Sequence, residues 1–212
     1  MARPLRPTGL GFFGVVIASI SHEIKNRLAI INEETLLVKD LAQVSDKELG
    51  QDRLVSLADS VKAEIDLADT IIKNMNRFAH SVDELVKKEN LYDLINLTAS
   101  LYKRIAAMKN VTLEVHSPVE SVLVNVNSFS FMNLMWLYLN AVIEEVGKKC
   151  TIHLGSDKNS DGLSVWLKVE STESDINIIQ CEEMKDLADE IGARVSFFPE
   201  QKIISIILPA DL

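Results

Sequence analysis

The chain has 212 residues, a formal net charge of −9 and a pI near 5.0, with no lysine or arginine stripe to displace counterions, which argues against a nucleic-acid partner. Its 47% hydrophobic and 25% charged residues are those of an ordinary globular chain of one or two domains. The longest early apolar run, residues 12–18, is too short to span a membrane and lacks the small-residue cleavage site of a secretory signal, so the expected location is the cytoplasm.

Residues 1–9 carry two prolines and two arginines and read as a lead-in. A helix is predicted over 10–44. Ile17, Ile24, Ile31 and Val38 recur every seven residues, with Leu28, Thr35 and Ala42 between them, as in a packed seam at about 3.5 residues per turn. At about 100° per residue His22 points roughly 140–180° away from Ile17, Ile24 and Ile31, so its imidazole is expected in solvent on a helix held from behind. Glu23 is adjacent, and Asn26 follows one turn later on nearly the same face. Ser45 and Glu48 have capping-box spacing, and Gly50 weakens helix, so the turn is expected there. In the next helix Ala58, Val61, Ile65, Ala68, Ile72, Met75, Ala79, Val82 and Val86 alternate steps of three and four. The two make an antiparallel hairpin over 10–88. Helices of this length leave apolar faces uncovered, and pairing two hairpins into a four-helix bundle covers them, so a homodimer is expected.

From residue 89 the period changes. A helix is predicted over 91–108, strands over 111–115 and 122–126 around Pro118, and a strongly apolar helix over 129–146. Strands over 150–154 and 163–169 flank a polar turn, a helix over 178–191 ends at Gly192, and strands over 194–198 and 202–208 follow. Residues 89–212 thus read as an α/β sandwich with a mostly antiparallel sheet, and the whole chain as α+β. Cys150 and Cys181 lack metal-ligand spacing and read as idle thiols in a reducing compartment. His80, His116 and His153 read as structural, and no metal site is assigned.

An exposed imidazole beside a carboxylate on a rigid helix has what a nucleophile toward phosphorus needs, an accessible and oriented neutral nitrogen. Ser21-His22-Glu23-Ile24-Lys25-Asn26, followed by Leu28-Ala29, resembles the H-box of bacterial sensor histidine kinases, the phosphoacceptor motif of their dimerisation domain. That family usually has proline after the asparagine, where this chain has Arg27, so a straighter helix is expected. In element order the second half resembles the family's ATP-binding domain. Leu137-Tyr138-Leu139-Asn140-Ala141-Val142 is similar to the end of the N-box, whose last asparagine helps hold the nucleotide's magnesium, but the preceding asparagine is Trp136 here. Where the family has an aspartate followed by two glycines, the chain reads Glu170-Ser171-Thr172-Glu173-Ser174-Asp175-Ile176, with no glycine and with two carboxylates where a triphosphate would sit. The lid is missing, and Asn177-Ile178-Ile179-Gln180-Cys181 stands in place of the second glycine motif. The domain therefore reads as degenerate, Asn140 as vestigial and the cofactor as none.

A phosphoacceptor helix pair joined to a degenerate nucleotide domain resembles the dimeric histidine phosphotransferases of bacterial phosphorelays. The resemblance implies that His22 moves phosphoryl between response-regulator aspartates without ATP. Glu23 orients the imidazole, Lys25 and Arg27 assist docking, and the partner receiver brings the magnesium. It implies receiver domains and a histidine kinase as partners, while charge and the short apolar run speak against nucleic acid and membrane. Asn26 opens an alternative, a receiver phosphatase in which it positions water. A non-catalytic adaptor is a further alternative, and an ATP-dependent kinase another.

Overall fold

The protein is described from a computed structural model covering residues 7–43, 47–146, 149–159, 162–171 and 178–209. The chain divides into two compact units, one of Val15–Arg77 and one of the residues up to Gly14 with those from Phe78 onward.

The helical unit holds most of α1 (Pro7–Leu41), from Val15 onward, and of α2 (Lys47–Ala79), up to Arg77. Polar bonds set their relation: Arg27 of α1 reaches Glu64 of α2, and Ser60 of α2 donates to Glu34 of α1 at 2.5 Å. Rising numbers in one helix meet falling numbers in the other, so the pair is antiparallel, as expected. The facing positions differ from the expected set. Ile24, Ile31 and Val38 are half-buried, but the intermediate positions are Arg27, Glu34 and Leu41, while Leu28, Thr35 and Ala42 are exposed. In α2 the same holds for Leu57, Glu64 and Ile71 against exposed Ala58, Ile65 and Ile72. Each helix therefore has two apolar edges, one turned to its hairpin mate and one turned outward, which periodicity alone merges into one stripe. The solvent face of α2 is laced by pairs one turn apart, Lys62 with Asp66 and Lys73 with Asp69, the latter carboxylate raising the pKa of the Lys73 ammonium.

In the second unit a 3₁₀ turn, His80–Val82, precedes β1 (Lys87–Asn90) and α3 (Leu91–Met108). Asn90 caps α3, its side-chain oxygen accepting from the Asp93 N–H at 3.2 Å. Then come β2 (Val111–Val115), β3 (Leu123–Val126), α4 (Ser128–Val146), β4 (Cys150–Asn159), β5 (Gly162–Glu170), α5 (Glu182–Glu190), β6 (Arg194–Phe198) and β7 (Ile203–Leu208). β1 and β3 form an antiparallel ribbon; the five-stranded sheet runs β2-β4-β5-β7-β6, with β2 and β4 parallel and the other pairs antiparallel. The α+β architecture expected from the sequence is thus present.

Alternation along the strands buries Ile152 and Leu154 of β4, Val165 and Leu167 of β5, and Ile204 and Ile206 of β7 on one face. Against this apolar store α4 is sunk almost entirely, with Phe131, Met132, Leu134, Met135, Leu139 and Val142 fully buried. Phe12, near the start of α1, joins the same core, with ring centroids 5.4 Å from Phe78, 5.4 Å from Phe129 and 5.1 Å from Trp136.

The polar segment read as a turn over 155–162 is mostly ladder, pairing Gly155 with Trp166 and Asp157 with Ser164. Glycine is required at 155 because a Cβ would collide with the Trp166 indole, which lies across it. The last helix begins at Glu182 rather than 178, with Cys181 at its N-cap in extended conformation. β1 was not expected, since Lys-Lys-Glu-Asn carries no apolar alternation.

Candidate functional site

α1 continues unbroken through the H-box-like segment, and His22 is exposed on it. Asn26, one turn on, is exposed, as are Ser21 and Lys25, so these side chains share open surface on one helix face. Behind them Ile24 faces the hairpin interior. Glu23 is half-buried, its carboxylate 3.9 Å from the Arg27 guanidinium.

Arg27 stands at a seam position. Its Nη1 donates to both carboxylate oxygens of Glu64, at 3.2 and 3.0 Å, with only 29% and 16% of the two side chains exposed. A charge-assisted pair between facing helices fixes their register where proline would have removed a backbone donor. The helical segment therefore presents a rigid platform with an accessible ring nitrogen on its outside. Glu64 was not singled out in the sequence; its signal was a charged residue at a seam position opposite another of opposite sign, visible only once the helices are aligned.

The second site-like residue lies in the other unit. Asn140 of α4 accepts a hydrogen bond from the Tyr102 hydroxyl of α3, so its carboxamide oxygen is engaged within the protein. Trp136, one turn earlier, is core: its ring lies 4.4 Å from Tyr102 edge-on, and 5.1 Å from Phe12. The two positions that the sequence likens to the N-box are thus an asparagine bonded to tyrosine and a buried indole. Glu173, Asp175 and Asn177 lie outside the described residues. A cleft of about 470 Å³ is lined by Leu91, Val122, Ser156 and Leu163, and not by Asn140.

Burial carries the Tyr102 phenol well above its ordinary value, with the Glu144 carboxylate adding to the shift. It also pushes Tyr138 up to about 12, against the opposing effect of a hydrogen bond with Gln180. Both groups bind their protons more tightly folded than unfolded. Their stabilisation is complete below the unfolded value near 10 and is lost as pH climbs through the folded values. The melting temperature is expected to fall from about pH 10 upward, and Tyr138→Phe to make that fall shallower; calorimetry across the alkaline range checks both.

No protein-family model matches the sequence, and no curated protein matches it. Among solved structures the chain is similar to the Acinetobacter baumannii histidine kinase AdeS, at 8% identity and a TM-score of 0.48 over 90% of this chain and 98% of that one. It is also similar to histidine kinase ThkA in complex with the response regulator protein TrrA, at 17% identity and 0.48 over 95% of this chain and 63% of that one. A third is the histidine kinase domain of the Erythrobacter litoralis EL346 blue-light activated histidine kinase, at 12% identity and 0.47 over 84% and 96%. Among the described residues no helix is long and apolar enough to cross a membrane.

Proposed function

We propose that the protein is a histidine phosphotransferase acting between response-regulator receiver domains, with His22 as the phosphoacceptor. The observation that carries the reading is an exposed imidazole within Ser-His-Glu-Ile-Lys-Asn, on a helix whose opposite side is fixed by Arg27 and Glu64. In the reaction the Nε2 lone pair forms a bond to phosphorus as the bond to the aspartyl oxygen breaks, and the carboxylate leaves with the electron pair. The reverse step delivers the group to a second receiver. Glu23 holds the Nδ1–H in the docked state and steadies the ring once phosphorylated, acting as a positioning residue. Lys25 supplies positive charge at the docking face, whereas Arg27, engaged with Glu64 across the hairpin, holds the helix from behind and is not free for docking, and the magnesium comes with the receiver. The engagement of Asn140 with Tyr102 and the burial of Trp136 support a reaction that draws no phosphoryl from ATP.

Asn26 supports a second reading, in which its exposed carboxamide orients water toward a docked receiver's aspartyl phosphate. Radiolabelled phospho-receiver mixed with a cold second receiver separates the two. Label passing through this chain to the second receiver is the relay; inorganic phosphate without a labelled intermediate, abolished by Asn26→Ala and kept by His22→Gln, is the phosphatase.

The active form is a dimer in this proposal. Antiparallel pairing sets Leu28 and Ile65, each one residue past the Arg27–Glu64 pair, on the same flank, where they are 56% and 48% exposed; Ile72 continues that flank at 40%. A second hairpin covers such a stripe. Sedimentation equilibrium is expected to give two chains for the wild type and one for Leu28→Glu combined with Ile65→Glu.

A further inference from the structure

On the sheet face opposite the buried store, β2 and β4 bring together groups far apart in sequence. Glu114 pairs with His153 in register, and His116, just past the end of β2, is held by its backbone N–H on the Leu154 carbonyl at 2.8 Å. His116 Nε2 lies 3.0 Å from His153 Nδ1, and Glu114 Oε2 lies 3.3 Å from the same nitrogen. The ligand atoms of the three residues all fall within 4.8 Å of one another.

The other ring nitrogen of His153 faces Glu170 Oε2 at 3.0 Å. With Nε2–H donated to Glu170, the Nδ1 lone pair is left facing both the His116 Nε2 at 3.0 Å and the Glu114 carboxylate at 3.3 Å. Two acceptors at 3.3 Å have no hydrogen between them, and a cation in that space relieves the contact. The separations of 3.0 and 3.3 Å match the edge of a tetrahedron with zinc–nitrogen bonds, about 3.3 Å. A carboxylate on the far nitrogen is also the usual support of a metal-binding imidazole. The Trp166 ring, admitted by Gly155, backs His116 at 5.6 Å between centroids and limits where that ring can go. Lys168, the cross-strand neighbour of His153, brings one positive charge to this face against the two carboxylates.

We propose that Glu114, His116 and His153 bind a zinc-class divalent cation, with Glu170 orienting His153 and solvent filling the fourth position. Bound there, the ion ties the edge strand β2 to β4. The site is independent of His22.

Calorimetric titration of the metal-free full chain with zinc chloride tests it. One ion per chain is expected. His116→Gln and His153→Gln should each weaken binding at least about a hundredfold, and Glu170→Gln by about 10–100-fold with stoichiometry retained. Cobalt should give tetrahedral absorption in the wild type that is lost in His116→Gln. His116 and Glu170 are exposed and His153 is half-buried, and circular dichroism checks that each variant folds. Absence of binding, or binding unchanged in both histidine variants, overturns the proposal.

Discussion

His22→Gln is expected to lower phosphoryl uptake from a phosphorylated receiver by at least about 10⁴-fold, the scale on which removal of a nucleophile acts. Glutamine keeps the helix and a polar tip but offers no nitrogen lone pair that can attack phosphorus. Because the side chain is exposed and makes no hydrogen bond among the described residues, stability should change by less than about 0.5 kcal/mol. Loss of transfer with an unchanged melting curve and unchanged receiver affinity therefore isolates chemistry from folding and docking. Transfer kept by this variant would place the acceptor elsewhere.

Phe12→Ala carries the largest expected cost in stability. The ring is 5% exposed and touches Phe78 edge-on, with Phe129 and Trp136 beside it, so truncation removes aromatic contacts and leaves a cavity in a core that α4 has already filled. Such losses run about 3–5 kcal/mol, which in a chain of this length lowers the melting temperature by roughly 10 °C. Phe12→Leu refills part of the volume and should recover about half of the loss. Because Phe12 groups with the second unit rather than with Val15–Arg77, the transition that shifts should be the one reported by near-ultraviolet dichroism of Trp136. An unshifted transition would mean that the start of α1 does not belong to that core.

The long helices and the order of strands were legible because their periods are long and clean; Ile17, Ile24 and Ile31 return every seven residues whatever lies between. Which of two adjacent edges faces the mate was not legible. Leu28 looks more like a seam residue than Arg27 does, and only the ion pair with Glu64 reverses that choice. The 155–159 segment was misread because Ser, Asp and Asn favour turns, whereas here they continue a strand as the outer end of a hairpin. Strand β1 exists because β3 lends it a partner, not because Lys-Lys-Glu-Asn prefers extension. The exposed placement of His22 followed from angle alone. The bond between Tyr102 and Asn140, and the meeting of His116 with His153, depend on registers that no local pattern records.

Phosphoryl is expected to reside on one ring nitrogen of His22 in transit between two receivers. The direct measurement is phosphorus NMR and peptide mapping of the protein after mixing with phosphorylated receiver in the absence of nucleotide. An acid-labile, alkali-stable phosphoramidate is expected on His22, appearing as the receiver loses its label. Phosphate released with no phosphohistidine formed, or a phosphoryl group that appears only when ATP is added, would contradict it.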